Sequence, residues 1–163
     1  MKKIYEALLR DPSISTLPEL LDAGKLPALV SGLSPVHRPL LAAALYAHTG
    51  RPLVVVCPEE NSAENLVRDI ASLLGKRPKT LFTREFLFRS GESASRQGEQ
   101  ARLKTLQALT QGEDLVVATV SGLLQRTLPP EVLEQVSFTL RAGESVAPES
   151  VEAKLVAAGY THT

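Results

Sequence analysis

The sequence predicts an α/β fold: an open, mainly parallel sheet flanked by helices, followed by the start of a small α+β subdomain. Three observations predict it. Leu53-Val-Val-Val-Cys57 and Leu115-Val-Val-Ala-Thr-Val120 are continuous apolar runs without alternation. Strands buried on both faces of a parallel sheet read this way. Segments with helical apolar spacing lie between the strand-like stretches. Strand and helix then alternate along the chain, which is the pattern of βαβ units.

Composition agrees and excludes several function classes. Of 163 residues, 44% are hydrophobic, enough for a packed core. The 18 basic and 18 acidic residues cancel, so no global field draws the chain onto nucleic acid. Aromatics are 4% and Trp is absent, poor material for stacking single-stranded bases. One cysteine, Cys57, excludes an internal disulfide and fits a reducing, cytoplasmic location. The longest apolar runs are too short to span a bilayer, and no signal peptide is expected.

In chain order, residues 3 to 10 carry a helical pattern in Ile4, Ala7 and Leu8, stopped by Asp11-Pro12. Thr16 caps a second short helix that Gly24 ends, so residues 1 to 25 read as a helical arm. Residues 28 to 33 are expected to form the first core strand, followed by a helix from Pro35 to His48. Leu53 to Cys57 is the second strand. Ser62 caps a helix over 63 to 74, with Leu66, Ile70, Leu73 and Leu74 on one stripe. Thr80 to Phe82 is a short strand, and residues 84 to 98 read as a loop. A helix over 99 to 110 places Leu103, Leu106 and Leu109 inward, and the strand from Leu115 follows. After Thr127-Leu-Pro-Pro come a helix over 131 to 135, an alternating strand over 137 to 141, and a helix over 149 to 158. The domain division is therefore 1–25, 26–126 and 127–163. The last unit stops at Thr163, just where another strand is needed.

Strand, glycine turn and apolar helix over 28 to 46 is the layout of a phosphate-binding loop. Such a loop needs backbone N–H groups at the helix start, a Lys for the β/γ-phosphates and a Ser/Thr for magnesium. Gly32 is present, but positions 36 to 39 read Val36-His37-Arg38-Pro39. The loop is degenerate: Gly32, Leu33, Ser34, His37 and Arg38 are its remnant, and Pro35 removes a further donor. A bound phosphate remains conceivable on Gly32 and Ser34; turnover of ATP is not expected.

Several ordered stretches carry a resemblance: Leu29-Val-Ser-Gly-Leu-Ser34, Thr49-Gly-Arg-Pro-Leu-Val-Val-Val56, Val116-Val-Ala-Thr-Val-Ser-Gly-Leu-Leu-Gln-Arg126, Leu128-Pro-Pro-Glu131, and Leu140-Arg-Ala-Gly-Glu144 through Leu155-Val-Ala-Ala-Gly-Tyr160. Their order and spacing resemble the N-terminal, UvrB-homologous part of the bacterial transcription-repair coupling factors, over nearly the whole chain. UvrB itself carries an intact Walker A loop; Gly32-Leu33-Ser34 without a lysine is similar to the coupling factors instead. The resemblance implies a degenerate RecA-like core with no catalytic residues and no cofactor of its own. ATP and magnesium would belong to motor domains further along the family's chain. It also implies UvrA as partner, with RNA polymerase and DNA reached only through other domains. Two alternatives stay open: a UvrB-like nucleotide- or DNA-binding helicase domain, and a surface that packs on the motor domains and restrains them. In the last unit the resemblance directs attention to Arg141, Tyr160 and Thr161 as partner contacts, since Arg and Tyr are frequent hot spots. Thr161 and His162 stand where the family often has arginine.

The remaining chemistry-bearing residues have plainer readings. Cys57 ends a strand and reads as a buried structural thiol. His48 and His162 have no ligand partner at metal spacing. Glu59 and Glu60 sit at the carboxyl edge of the sheet, where they would repel phosphate. Asp114 precedes its strand and is not a Walker B aspartate. Arg84, Arg89, Arg96, Arg102 and Lys104, interleaved with acids, read as a solvated surface first and as a partner contact second.

Overall fold

The computed structural model describes residues 2–83, 96–143 and 145–160. The loop predicted over 84 to 98 lies outside the described residues as far as residue 95, and residues 96 to 98 are the start of a helix instead. Two arm helices, α1 (Lys2–Leu9) and α2 (Thr16–Asp22), precede α3 (His37–Thr49). Then come β1 (Leu53–Cys57), α4 (Glu60–Leu74), β2 (Lys79–Leu81), α5 (Arg96–Thr110) and β3 (Leu115–Thr119). Three helices close the described chain: α6 (Val120–Leu124), α7 (Pro130–Val136) and α8 (Pro148–Ala157). None of the described helices is long and apolar enough to cross a membrane.

The sheet is parallel, in the order β1-β3-β2. Leu53 pairs with Leu115 and Cys57 with Thr119; Lys79 pairs with Val116 and Leu81 with Ala118. β3 lies at the centre and is buried at every position, as its unbroken apolar run predicts. One sheet face carries Cys57, Leu115 and Val117 beneath Ala63, Val67 and Ile70 of α4, with Ala42 and Tyr46 of α3 against the same core. The other face carries Leu81, Val116 and Ala118 beneath Leu106 of α5.

β1 departs from expectation. It is a strand, but it lies at an edge and is not buried on both faces. Val54 and Val56 are 54% and 48% exposed, because α5 covers only the β2 and β3 side of their face. The strand predicted over 28 to 33 is absent: the stretch has no ladder partner, and Leu29 is 95% exposed. Apolar character made the segment strand-like, but no neighbouring strand accepts it. The same reason removes the strand predicted over 137 to 141, which is irregular.

Boundaries shift where capping differs from the reading. Ser15, not Thr16, stands before α2, and neither it nor Glu59 before α4 makes a side-chain cap bond. Ser62 therefore lies inside α4 rather than capping it. The glycine stops hold. Gly50 and Gly75 adopt left-handed φ of 60° and 69° and return their N–H groups to Tyr46 and Ala71. In α1 the buried residue is Tyr5, whose hydroxyl donates to the Leu73 carbonyl oxygen at 2.5 Å, while Ile4 is exposed. Burial pushes the Tyr5 hydroxyl up from its ordinary pKa.

α5 also turns a different face inward. Leu103 and Leu109 are exposed, and Arg102 and Thr105 are buried beside Leu106. The helix lies along edge strand β2, whose outward carbonyls need donors. Thr105 Oγ1 donates to the Thr80 carbonyl at 2.7 Å, and Arg102 Nη1 to that of Phe82 at 3.1 Å. After β3, Thr119 caps α6 by accepting the Gly122 N–H at 3.0 Å. A side chain at 122 would run into the Leu81 carbonyl oxygen, so only glycine lets α6 turn that tightly over β2.

Candidate functional site

The remnant loop lies at the start of α3, against the carboxyl end of β1. Gly32 takes a left-handed φ of 78°, but no strand leads into it. Leu33 is half-buried; Ser34, His37 and Arg38 are exposed. Ser34 Oγ and His37 Nδ1 lie 3.1 Å apart, and the His37 N–H donates to the Ser34 carbonyl at 3.0 Å. An anion site at a helix start needs free N–H groups converging on one point. Here the His37 donor is committed, and Pro35 and Pro39 have none. Pro39 is buried and holds the first turn against the body of the protein.

Beside the loop is a cleft of about 410 Å³ lined by Arg38 and Pro39, by Val56 and Cys57 of β1, and by Asn65 and Asp69 of α4. Its floor is apolar. Cys57 is buried, and burial pushes its thiol up from the ordinary value, which disfavours the reactive thiolate. The sequence reading of Cys57 as a packing residue stands on that geometry.

The carboxyl edge of the sheet holds a second group. Glu60 Oε1 accepts the Thr83 N–H at 3.1 Å, and Thr83 Oγ1 donates to Ser121 Oγ at 2.8 Å. Arg102, 5% exposed, donates from Nη2 to the Gln125 carbonyl at 3.3 Å as well as to Phe82. Its role is to tie α5 to the end of β2 and to the segment after α6. The reading of Arg102 as solvated surface is thus corrected. The available signal was its spacing with Thr105 and Leu106, at i, i+3 and i+4. Glu59 is exposed and makes no cap.

Asp114 belongs to a third group, at the opposite edge of the sheet. Tyr46 Oη donates to both its carboxylate oxygens, at 3.0 and 2.9 Å. Lys76 Nζ lies 2.5 Å from Asp114 Oδ1 and 2.8 Å from Glu113 Oε1. The cluster joins α3, the turn after α4 and the start of β3. It ties these elements together, a role the sequence reading did not assign to Asp114, and Lys76 is the member that sequence reasoning missed. The ammonium of Lys76 holds the carboxyls of Asp114 and Glu113 below the usual carboxylate range, and they raise Lys76 in turn. Carboxyls with lowered folded-state pKa stabilise the fold above their unfolded values, and that stability is lost as pH falls through the folded values. A lysine with a raised folded-state pKa contributes below its unfolded value and loses the contribution as pH rises through the folded one. Stability is therefore expected to be flat near neutrality and to fall in acid below about pH 4. Lys76→Met is expected to flatten that acid limb and to return both carboxyls toward ordinary titration, as read by urea unfolding against pH and by NMR.

The proposed partner residues sit in the last unit. Arg141 is exposed in the irregular stretch after α7, and Tyr160 is exposed just past α8, its N–H bonded to the Leu155 carbonyl at 3.0 Å. Thr161 lies outside the described residues. α8 buries none of its side chains. Lys154 of α8 stands 5.5 Å from the centre of the Phe138 ring, a contact the sequence did not signal.

Comparison with known proteins gives this arrangement a family. The transcription-repair-coupling factor of Staphylococcus aureus (strain USA300) is 31% identical over 144 residues, covering 84% of this chain and 12% of that protein. That of Bacillus subtilis (strain 168) is 28% identical over 134 residues, covering 81% of this chain and 11% of that protein. The chain belongs to the transcription-repair coupling factor family. It corresponds to the family's N-terminal region, and it spans about one-eighth of the length of these relatives. No protein-family model matches the chain, and no solved structure matches it. Family membership bears out the resemblance read from the ordered stretches between Leu29 and Tyr160.

Proposed function

We propose that this chain is a non-catalytic interaction module of a transcription-repair coupling factor. Its task is to recruit UvrA, and so the excision machinery, to RNA polymerase stalled at DNA damage. One observation supports the non-catalytic part: the start of α3 has no lysine, the His37 N–H is committed to Ser34, and Pro35 and Pro39 have no N–H. A γ-phosphate would meet no P-loop lysine there, and fewer backbone donors than a phosphate loop supplies. ATP and magnesium chemistry then belongs to motor domains elsewhere in the family's longer polypeptide.

Support for the recruitment part comes from the family and from the exposed, weakly packed surface around α8. Arg141 and Tyr160 present large side chains to solvent there, and Thr161 follows directly. Such a surface is well placed to be buried by a partner.

The test is calorimetric titration of purified UvrA into this chain, with magnesium-ATP titrated in parallel. UvrA is expected to bind and ATP to give no saturable heat. Arg141→Ala and Tyr160→Ala are each expected to weaken UvrA binding about tenfold, or ~1.4 kcal/mol. Saturable, magnesium-dependent ATP binding without UvrA binding would overturn the reading in favour of a nucleotide-binding helicase domain.

A further inference from the structure

The sheet has two edges, and they are treated differently. At β2 the outward-facing carbonyls of Thr80 and Phe82 are capped by Thr105 and Arg102 of α5. That edge is closed to any further strand. At β1 the Leu53 N–H donates inward to the Asp114 carbonyl. Alternation along the strand therefore turns the backbone groups of Val54 and Val56 outward. No described strand pairs with them. The same two residues expose their side chains on the face that α5 leaves bare. β1 carries no charge and no proline between Leu53 and Cys57, so the outward groups of Val54 and Val56 themselves are unprotected, with prolines only at the flanking positions 52 and 58.

We propose that this edge pairs with a second copy of itself, β1 against β1 in antiparallel fashion about a two-fold axis through Val55. The sequence fits that occupant. Val54 and Val56 are identical and symmetric about Val55, so Val54 of one copy lies opposite Val56 of the other in two reciprocal hydrogen-bonded pairs. The valines form cross-strand pairs on one face. Pro52 and Pro58 occupy the next outward-facing positions on either side and have no N–H to give. A register shifted in either direction sets a valine against a proline, so pairing centred on Val55 is the one that uses every available donor. The uncharged strand and the zero formal net charge of the chain leave no repulsion between copies.

Size-exclusion chromatography with light scattering, run over a concentration series, tests this. The chain is expected to pass from monomer to dimer as concentration rises, with the Val54 and Val56 amides exchanging more slowly in the dimer. Val56→Lys puts a charge on the edge, and Val54→Pro removes an outward N–H; neither touches the ladder to β3. Each is expected to weaken the dimer at least tenfold while circular dichroism stays unchanged. Leu124→Lys, on exposed α6, is the control and should leave it intact. A monomer at every concentration overturns the proposal, as does a dimer indifferent to both β1 variants. Concentration-independent protection of Val54 and Val56 in a monomer overturns it too, and assigns the edge to Ala28–Leu33.

Discussion

Replacing Ile70 by alanine is expected to lower the unfolding free energy by about 2–5 kcal/mol, the range for truncating a buried Ile or Leu. Ile70 is fully buried, and it packs with Val67 and Ala63 onto Leu115 and Val117 at the centre of the sheet. Surrounding residues belong to both α4 and β3, so the cavity cannot collapse from one side alone. A value near the upper end is expected for that reason. Urea unfolding monitored by circular dichroism measures it; a loss under about 1 kcal/mol would mean that α4 does not hold the sheet as described. Ile70→Val, which removes a single methylene, should cost about 0.5–1.5 kcal/mol.

The second large effect is expected at Arg102. Its guanidinium reaches the carbonyls of Phe82 and Gln125 from a buried position. A hydrogen bond from a charged group contributes about 1.5–3 kcal/mol, and an orphaned carbonyl adds its own desolvation cost. Arg102→Ala is expected to cost about 3 kcal/mol, less than the sum of two independent bonds because they share one side chain. Arg102→Lys should recover little of it, since the two carbonyls are reached from two different guanidinium nitrogens, Nη1 and Nη2, and a lysine has one nitrogen on a flexible stem. Hydrogen exchange adds a local readout: protection should fall first around Thr80 to Phe82 and after α6. Full recovery by lysine would assign Arg102 a charge role rather than a geometric one.

Much of the fold was legible because it depends on short-range patterning. The unbroken run from Leu115 announced a central strand, the stripe through Leu66 and Ile70 announced α4, and Gly50 and Gly75 announced the ends of their helices. The residue identities Pro35-Val36-His37-Arg38-Pro39 at the start of α3 were legible in the sequence. The commitment of the His37 N–H to Ser34 was not, because it depends on how the turn closes.

Alone, the sequence determined the α/β class, the order of β1, β2 and β3 along the chain with their covering helices, and the family. Tertiary structure decided which strand-like stretches become strands. Val54, Leu29 and Leu115 all sit in apolar stretches of the chain, yet Leu115 is central, Val54 is at an edge and Leu29 is unpaired among the described strands. A strand exists only where a neighbour supplies hydrogen bonds, and neighbours in a parallel sheet are distant in sequence. Tertiary structure also put Arg102 inside and Leu103 outside, because the backbone of an edge strand demands donors more strongly than it demands another apolar contact.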